Sequence, residues 1–149
     1  MNKTKFIISV ISLFILFFIF DYIWHDNILY TSYLATSFLW RDNSQSVILF
    51  PTLVASYLIT SILMVTLYKI YVIPKNKDLL NHSLKAGILL GSLLGTLEFS
   101  FYVYMPIPFT LAFAWFIGKL IPTILASFTL YFINKKSSSK QKIIQTRKS

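Results

Sequence analysis

The chain has 149 residues, of which 56% are hydrophobic, 17% aromatic and only 13% charged, and it carries a formal net charge of +9. That charged fraction is about half that of an ordinary soluble domain, and a protein this small could not hide so many apolar residues from water. With no cysteine, disulfides, thiolate nucleophiles, thiolate-bound metals and haem attachment are excluded.

The apolar residues fall into four blocks, each long enough to cross roughly 30 Å of hydrocarbon as a helix. Together they predict an all-α integral membrane four-helix bundle over residues 1–136 and a basic tail over 137–149. The first block, residues 6–25, follows Lys3 and Lys5 as a signal peptide would. Bulky aromatics and Asp21 stand where a small-residue cleavage site would be needed, so it reads as a retained span. Asp21 then lies about one turn below the surface, and His25, four residues on, shares its helix face.

Residues 26–46 form a long connection in which Leu29, Tyr33, Thr36 and Trp40 recur near helical spacing. This predicts a short interfacial helix over about 28–40, or simply an aromatic belt. The second span covers 47–72, with Pro51 expected in its first turn or two, where losing a backbone donor is cheapest. Thr52, Ser56 and Thr60 line one of its faces, with hydroxyls able to donate to a neighbouring helix or back to their own backbone.

The third span, 84–105, carries Gly87, Gly91 and Gly95 in register with Ser83, a stripe that lets another helix approach closely. A pairing of spans two and three is the expectation. The stripe leads to Glu98 and then Tyr102 on the same side. Pro106 and Pro108 predict a rigid turn, and the fourth span, 109–133, contains Lys119 and a kink at Pro122. Spans three and four run antiparallel, so Glu98 lies roughly 10 Å and Lys119 roughly 15 Å below the same surface. An ion pair is expected, because a lone charge at that depth costs several kcal/mol or changes protonation.

Lysines gather at the 73–83 connection and the tail, whereas residues 26–46 hold Asp26 and Asp42 against Arg41 and the last connection is uncharged. Positive-inside counting therefore places both termini in the cytoplasm and the polar residues in the outer leaflet. The positive charge reads as topology signal and lipid-headgroup contact; no nucleic-acid partner is expected.

Asp21, His25, Glu98, Tyr102 and Lys119, with Arg41 arriving from the loop, can form a polar cluster that binds a ligand or transfers protons. Asp21, His25 and Glu98 also offer a donor set for a divalent metal, although no metal motif accompanies them and no other cofactor is expected. Tyr102, Tyr104 and Trp115 frame an entrance for a lipid or quinone-like molecule. The expected function is binding of a small ligand, lipid or membrane partner, in transport or assembly, with a homodimer through a small-residue face as an elaboration. Two other readings stay open. One is an enzyme acting on a lipid or headgroup, with His25 as base and Lys119 or Arg41 stabilising an oxyanion; the other is a structural subunit held by a Glu–Lys lock.

The segments FDYIWHDNILYTSYLATSFLWRD, at 20–42, and YVYMPIPFTLAFAW, at 102–115, resemble parts of small, uncharacterised four-span bacterial inner-membrane proteins. The resemblance implies a multi-pass location in the bacterial inner membrane and no particular activity.

Overall fold

A computed structural model describes residues 1–75 and 78–146, the side chains of 43 and 136–146 excepted. Lys77, Arg147, Lys148 and the tail side chains used in the topology count lie outside the described residues. All regular structure among the described residues is helical: α1 (Lys3–Ile23), α2 (Tyr30–Ala35), α3 (Asn43–Leu67), α4 (Leu79–Phe99), α5 (Phe101–Tyr104) and α6 (Phe109–Thr146). One π-helical turn, Trp24–Ile28, extends α1, and another, Tyr68–Val72, extends α3.

Four stretches are long and apolar enough to cross a membrane: Lys3–Ile28, Ser44–Val72, Leu79–Tyr104 and Phe109–Lys135. Their side chains are sorted as a bilayer requires. Along α1, Ile7, Ile11, Ile15 and Ile19 are turned away from the rest of the chain while Val10, Leu13 and Phe17 are buried. A soluble helix would carry polar groups on the first face; here an apolar stripe is left for lipid.

Local sequence explains the boundaries. Asn2 caps α1 by accepting a hydrogen bond from the Lys5 amide at 2.9 Å. Asp42 is extended and its carbonyl accepts from Ser46, so α3 begins at Asn43. Pro51 consequently lies deeper in the helix than the sequence suggests, and the helix runs through it. Pro122 likewise lies inside an uninterrupted α6. The single interfacial helix expected over 28–40 is divided. The π-turn ends at Ile28, α2 covers Tyr30–Ala35, and a short 3-10 turn covers Ser37–Leu39.

The tightest packing is between α4 and α6, which corrects the expected pairing of spans two and three. A methyl added at Gly87 would stand 2.8 Å from the Ser127 Oγ, at Gly91 3.0 Å from the Leu120 Cα, and at Gly95 2.7 Å from the Phe116 carbonyl oxygen. The stripe therefore brings the backbone of α6 against that of α4. Helix α1 packs on both α3 and α6. A core of Val10, Leu13, Phe17, Met64, Val65, Ala126 and Leu130 fills the space between them. Between α3 and α4 one tie is a hydrogen bond: Ser83 donates to the Leu79 carbonyl and so accepts from the Tyr68 hydroxyl at 2.6 Å. Thr52, Ser56 and Thr60 are exposed, and Ser56 donates back to Thr52 in its own helix.

Candidate functional site

At the end of the bundle where α2 and the Met105–Pro108 turn lie, side chains from all four spans meet. The arrangement starts with an unusual seat for Trp24. Its indole lies on Gly118 of α6, where an added methyl would be 2.6 Å from Nε1, and that Nε1 donates to the Ala114 carbonyl at 3.2 Å. The π-turn opens at this residue, with Leu29 donating to the Trp24 carbonyl at 2.9 Å. Such wide turns are frequent where a helix must re-aim side chains at a site. His25, the next residue, is thereby set beside Asp21, its Nε2 3.4 Å from Oδ1.

Asp21 is the hub. Tyr57 of α3 donates its hydroxyl to Oδ2 in a very short hydrogen bond, and the Lys119 ammonium of α6 stands 3.8 Å from Oδ1. Lys119 also reaches Glu98 of α4, 3.4 Å from Oε1. The expected Glu98–Lys119 contact is present, and Lys119 is shared between two carboxylates on different helices. The Asp21 and Lys119 side chains keep about a quarter of their exposure and Glu98 keeps 35%, so the group is recessed and still reachable.

On the other side of His25, Tyr33 of α2 completes the chain of contacts. Its hydroxyl oxygen lies 2.5 Å from His25 Nδ1 and accepts a hydrogen bond from Trp115 Nε1 at 2.7 Å. An indole N–H can only donate. The Tyr33 proton is then free for Nδ1, and neutral His25 carries its own proton on Nε2, toward Asp21. Burial pushes the Tyr33 phenol up to about 12, with the nearby carboxylates adding to that and the Trp115 hydrogen bond opposing it, so at neutral pH it remains a donor. Trp40 packs edge-on against both Tyr33 and Trp115 and donates to Thr36 at 3.0 Å, closing the aromatic cover.

No family model, curated protein or solved structure matches the chain. The likeness to four-span bacterial proteins thus has no match behind it; what stands is a bundle of four apolar helices with polar contacts between them.

Of the residues singled out from sequence, Asp21, His25, Glu98 and Lys119 come together. Arg41 and Tyr102 do not join them. Arg41 is exposed beside an open hollow lined by Tyr30, Tyr33, Ser37, Trp40 and Asp42. Tyr102 packs among Phe99 and Phe109, with ring centroids 6.2 and 5.9 Å away. Tyr104 is largely exposed, and Trp115 is buried in the aromatic cover rather than framing an opening. Among the described residues no group of His, Asp and Glu could hold a metal ion. For Asp21, His25 and Glu98 the reason is visible: the Lys119 ammonium stands between the two carboxylates, and Nδ1 of His25 is engaged by Tyr33.

Sequence reading missed Tyr57 and Gly118. A phenol in the middle of an apolar span needs a partner when buried, which could have flagged Tyr57. Gly118 is the one glycine outside the α4 stripe and immediately precedes Lys119.

Proposed function

We propose that the bundle is a membrane binding protein whose polar cluster, in the outer leaflet, takes up a small ligand or lipid headgroup for transport or assembly. The observation that carries this is the sharing of one ammonium by two carboxylates while Glu98 stays partly open. A lock built only for helix register needs one charge of each sign. Here the second carboxylate leaves excess negative charge in a place hostile to charge. The outer placement, with both termini in the cytoplasm, rests on the lysine distribution.

The enzyme alternative keeps His25 and Lys119, which both stand against Asp21. Among the described residues, however, the contacts of His25 run to Asp21 and Tyr33, and no serine nucleophile stands in that chain. Arg41, the second oxyanion stabiliser in that reading, lies by the open hollow.

The test is mass spectrometry of small molecules and lipids retained by protein purified in mild detergent. Glu98→Gln and Asp21→Asn should each deplete a bound species by roughly tenfold, the change that about 1.4 kcal/mol of lost affinity produces, in protein that still elutes as a folded species. An unchanged complement in both variants would remove the ligand-binding reading and leave the structural one.

A further inference from the structure

The hollow beside α2 carries a pattern of charge that the polar cluster does not use. It lies at the level of lipid headgroups, because the first span ends at Ile28 and the second begins at Ser44, with Arg41 and Asp42 just ahead of the second. Tyr30, Tyr33 and Trp40, aromatic residues of the kind that favour this boundary, line the hollow of about 330 Å³ together with Ser37, Arg41 and Asp42.

Both charges are uncommitted. Among the described residues the ion pairs are those of the cluster, and Arg41 and Asp42 enter none of them. Asp42 stands at the N-cap of α3, yet its carboxylate makes no capping hydrogen bond. The backbone explains why the two neighbours do not close on each other: Trp40 and Asp42 are extended, and successive side chains of an extended chain diverge. One guanidinium and one carboxylate thus border the same hollow unpaired.

Together they sum to zero charge, so their complement is a group that carries both signs a short distance apart. A phosphodiester joined to an ammonium has that form. Arg41 suits the phosphate, since a planar guanidinium can hold two of its oxygens at once, and the Ser37 hydroxyl can add a donor. The ammonium then falls to Asp42. A primary ammonium fits this better than a quaternary one, which needs open aromatic faces. The rings here are packed on other rings, Tyr33 on His25 at 5.7 Å and Trp40 against Tyr33 and Trp115 at 5.2 and 6.1 Å. Beside the hollow, Tyr30, Leu34 and Phe38 recur at every fourth position and are 54%, 56% and 75% exposed, an apolar strip on which acyl chains can lie.

We propose that this hollow binds one zwitterionic phospholipid bearing a primary ammonium, with Arg41 on its phosphate, Asp42 on its ammonium and its chains along Tyr30, Leu34 and Phe38. The site is separate from the cluster around Asp21. Tyr33 lines the hollow and also contacts His25, so the lipid braces the aromatic cover of the cluster from outside.

Native mass spectrometry of the detergent-solubilised full chain tests this, with phosphatidylethanolamine, phosphatidylcholine and phosphatidylglycerol of identical oleoyl chains added in turn. The first should bind about tenfold more tightly than either of the others, a comparison that needs no variant. Arg41→Gln should weaken its binding about tenfold. Asp42→Asn, which keeps a good N-cap residue, should remove the preference over phosphatidylglycerol. Both side chains are exposed, so both variants should unfold at the parent's temperature in lipid-free detergent. Glycerophosphoethanolamine, the same head without chains, should not displace the lipid at equal concentration. Equal binding of the three lipids, tighter binding of either of the other two, or a preference untouched by both variants overturns the proposal. Displacement by the chainless head also overturns it and makes the ligand a soluble phosphodiester. If the preference survives both variants and is lost in Glu98→Gln, the headgroup belongs to the cluster, so the hollow site falls while the ligand-binding reading of the cluster stands.

Discussion

Lys119→Met is expected to destabilise the detergent-solubilised protein by about 3 kcal/mol, whereas Glu98→Gln costs less than about 1 kcal/mol. The asymmetry follows from the sharing of one ammonium. Removing Lys119 leaves Asp21 and Glu98 without their common cation, and breaking a buried pair from one side typically costs about 3–5 kcal/mol. The residual exposure of these side chains, about a quarter to a third, places the loss at the lower end. Removing the Glu98 charge instead leaves a balanced Lys119–Asp21 pair, with Tyr57 still donating to Asp21. A simple two-residue lock would make the two substitutions similar in cost. Chemical denaturation of the two variants under one detergent condition separates the cases, and equal losses would argue for the simple lock.

Gly95→Ala should also be damaging, by about 2 kcal/mol, although alanine is the better helix former by about 1 kcal/mol. The added methyl would stand 2.7 Å from the carbonyl oxygen of Phe116 and 3.2 Å from its Cα. Backbone atoms cannot swing aside, so α6 must shift away from α4. That shift acts on the Glu98–Lys119 pair as well, because Glu98 lies one turn beyond Gly95 on α4, Lys119 one turn beyond Phe116 on the antiparallel α6, and the two side chains reach toward each other across this contact. At Gly87 the nearest atoms belong to the Ser127 side chain, and Gly87→Ala should cost less. Thermal unfolding of the two variants checks the order; a Gly95→Ala protein as stable as the parent would mean that the helices are not seated this closely.

How far the sequence speaks for itself depends on the kind of information. The four spans are legible because length and apolarity alone decide them, and the depths of Glu98 and Lys119 follow from counting residues along antiparallel helices. Azimuth is not legible in that way. The glycine stripe announces a close neighbour without saying which one, so α6 rather than α3 occupies it. The convergence of Asp21 with Lys119 depends on a rotation fixed by Trp24 settling on Gly118, a contact between the first span and the last. Tyr33 reaches His25 because the chain after Ile28 turns into a separate short helix, and a periodic pattern over 28–40 does not reveal that break. The charge of Arg41 suggests a place in the cluster, yet the residue follows the 3-10 turn and lies by the open hollow.

Lys119 serves two carboxylates from different spans at once. Unfolding of the charge-exchanged protein, Glu98→Lys with Lys119→Glu, puts this sharing to the proof. In that protein the carboxylate introduced on α6 would oppose the ammonium introduced on α4 correctly but would face Asp21 with like charge. Its stability should therefore stay well below that of the parent, and adding Asp21→Asn should recover part of the loss. Full restoration by the exchange alone would contradict the shared cation and reduce the site to a single Glu–Lys pair.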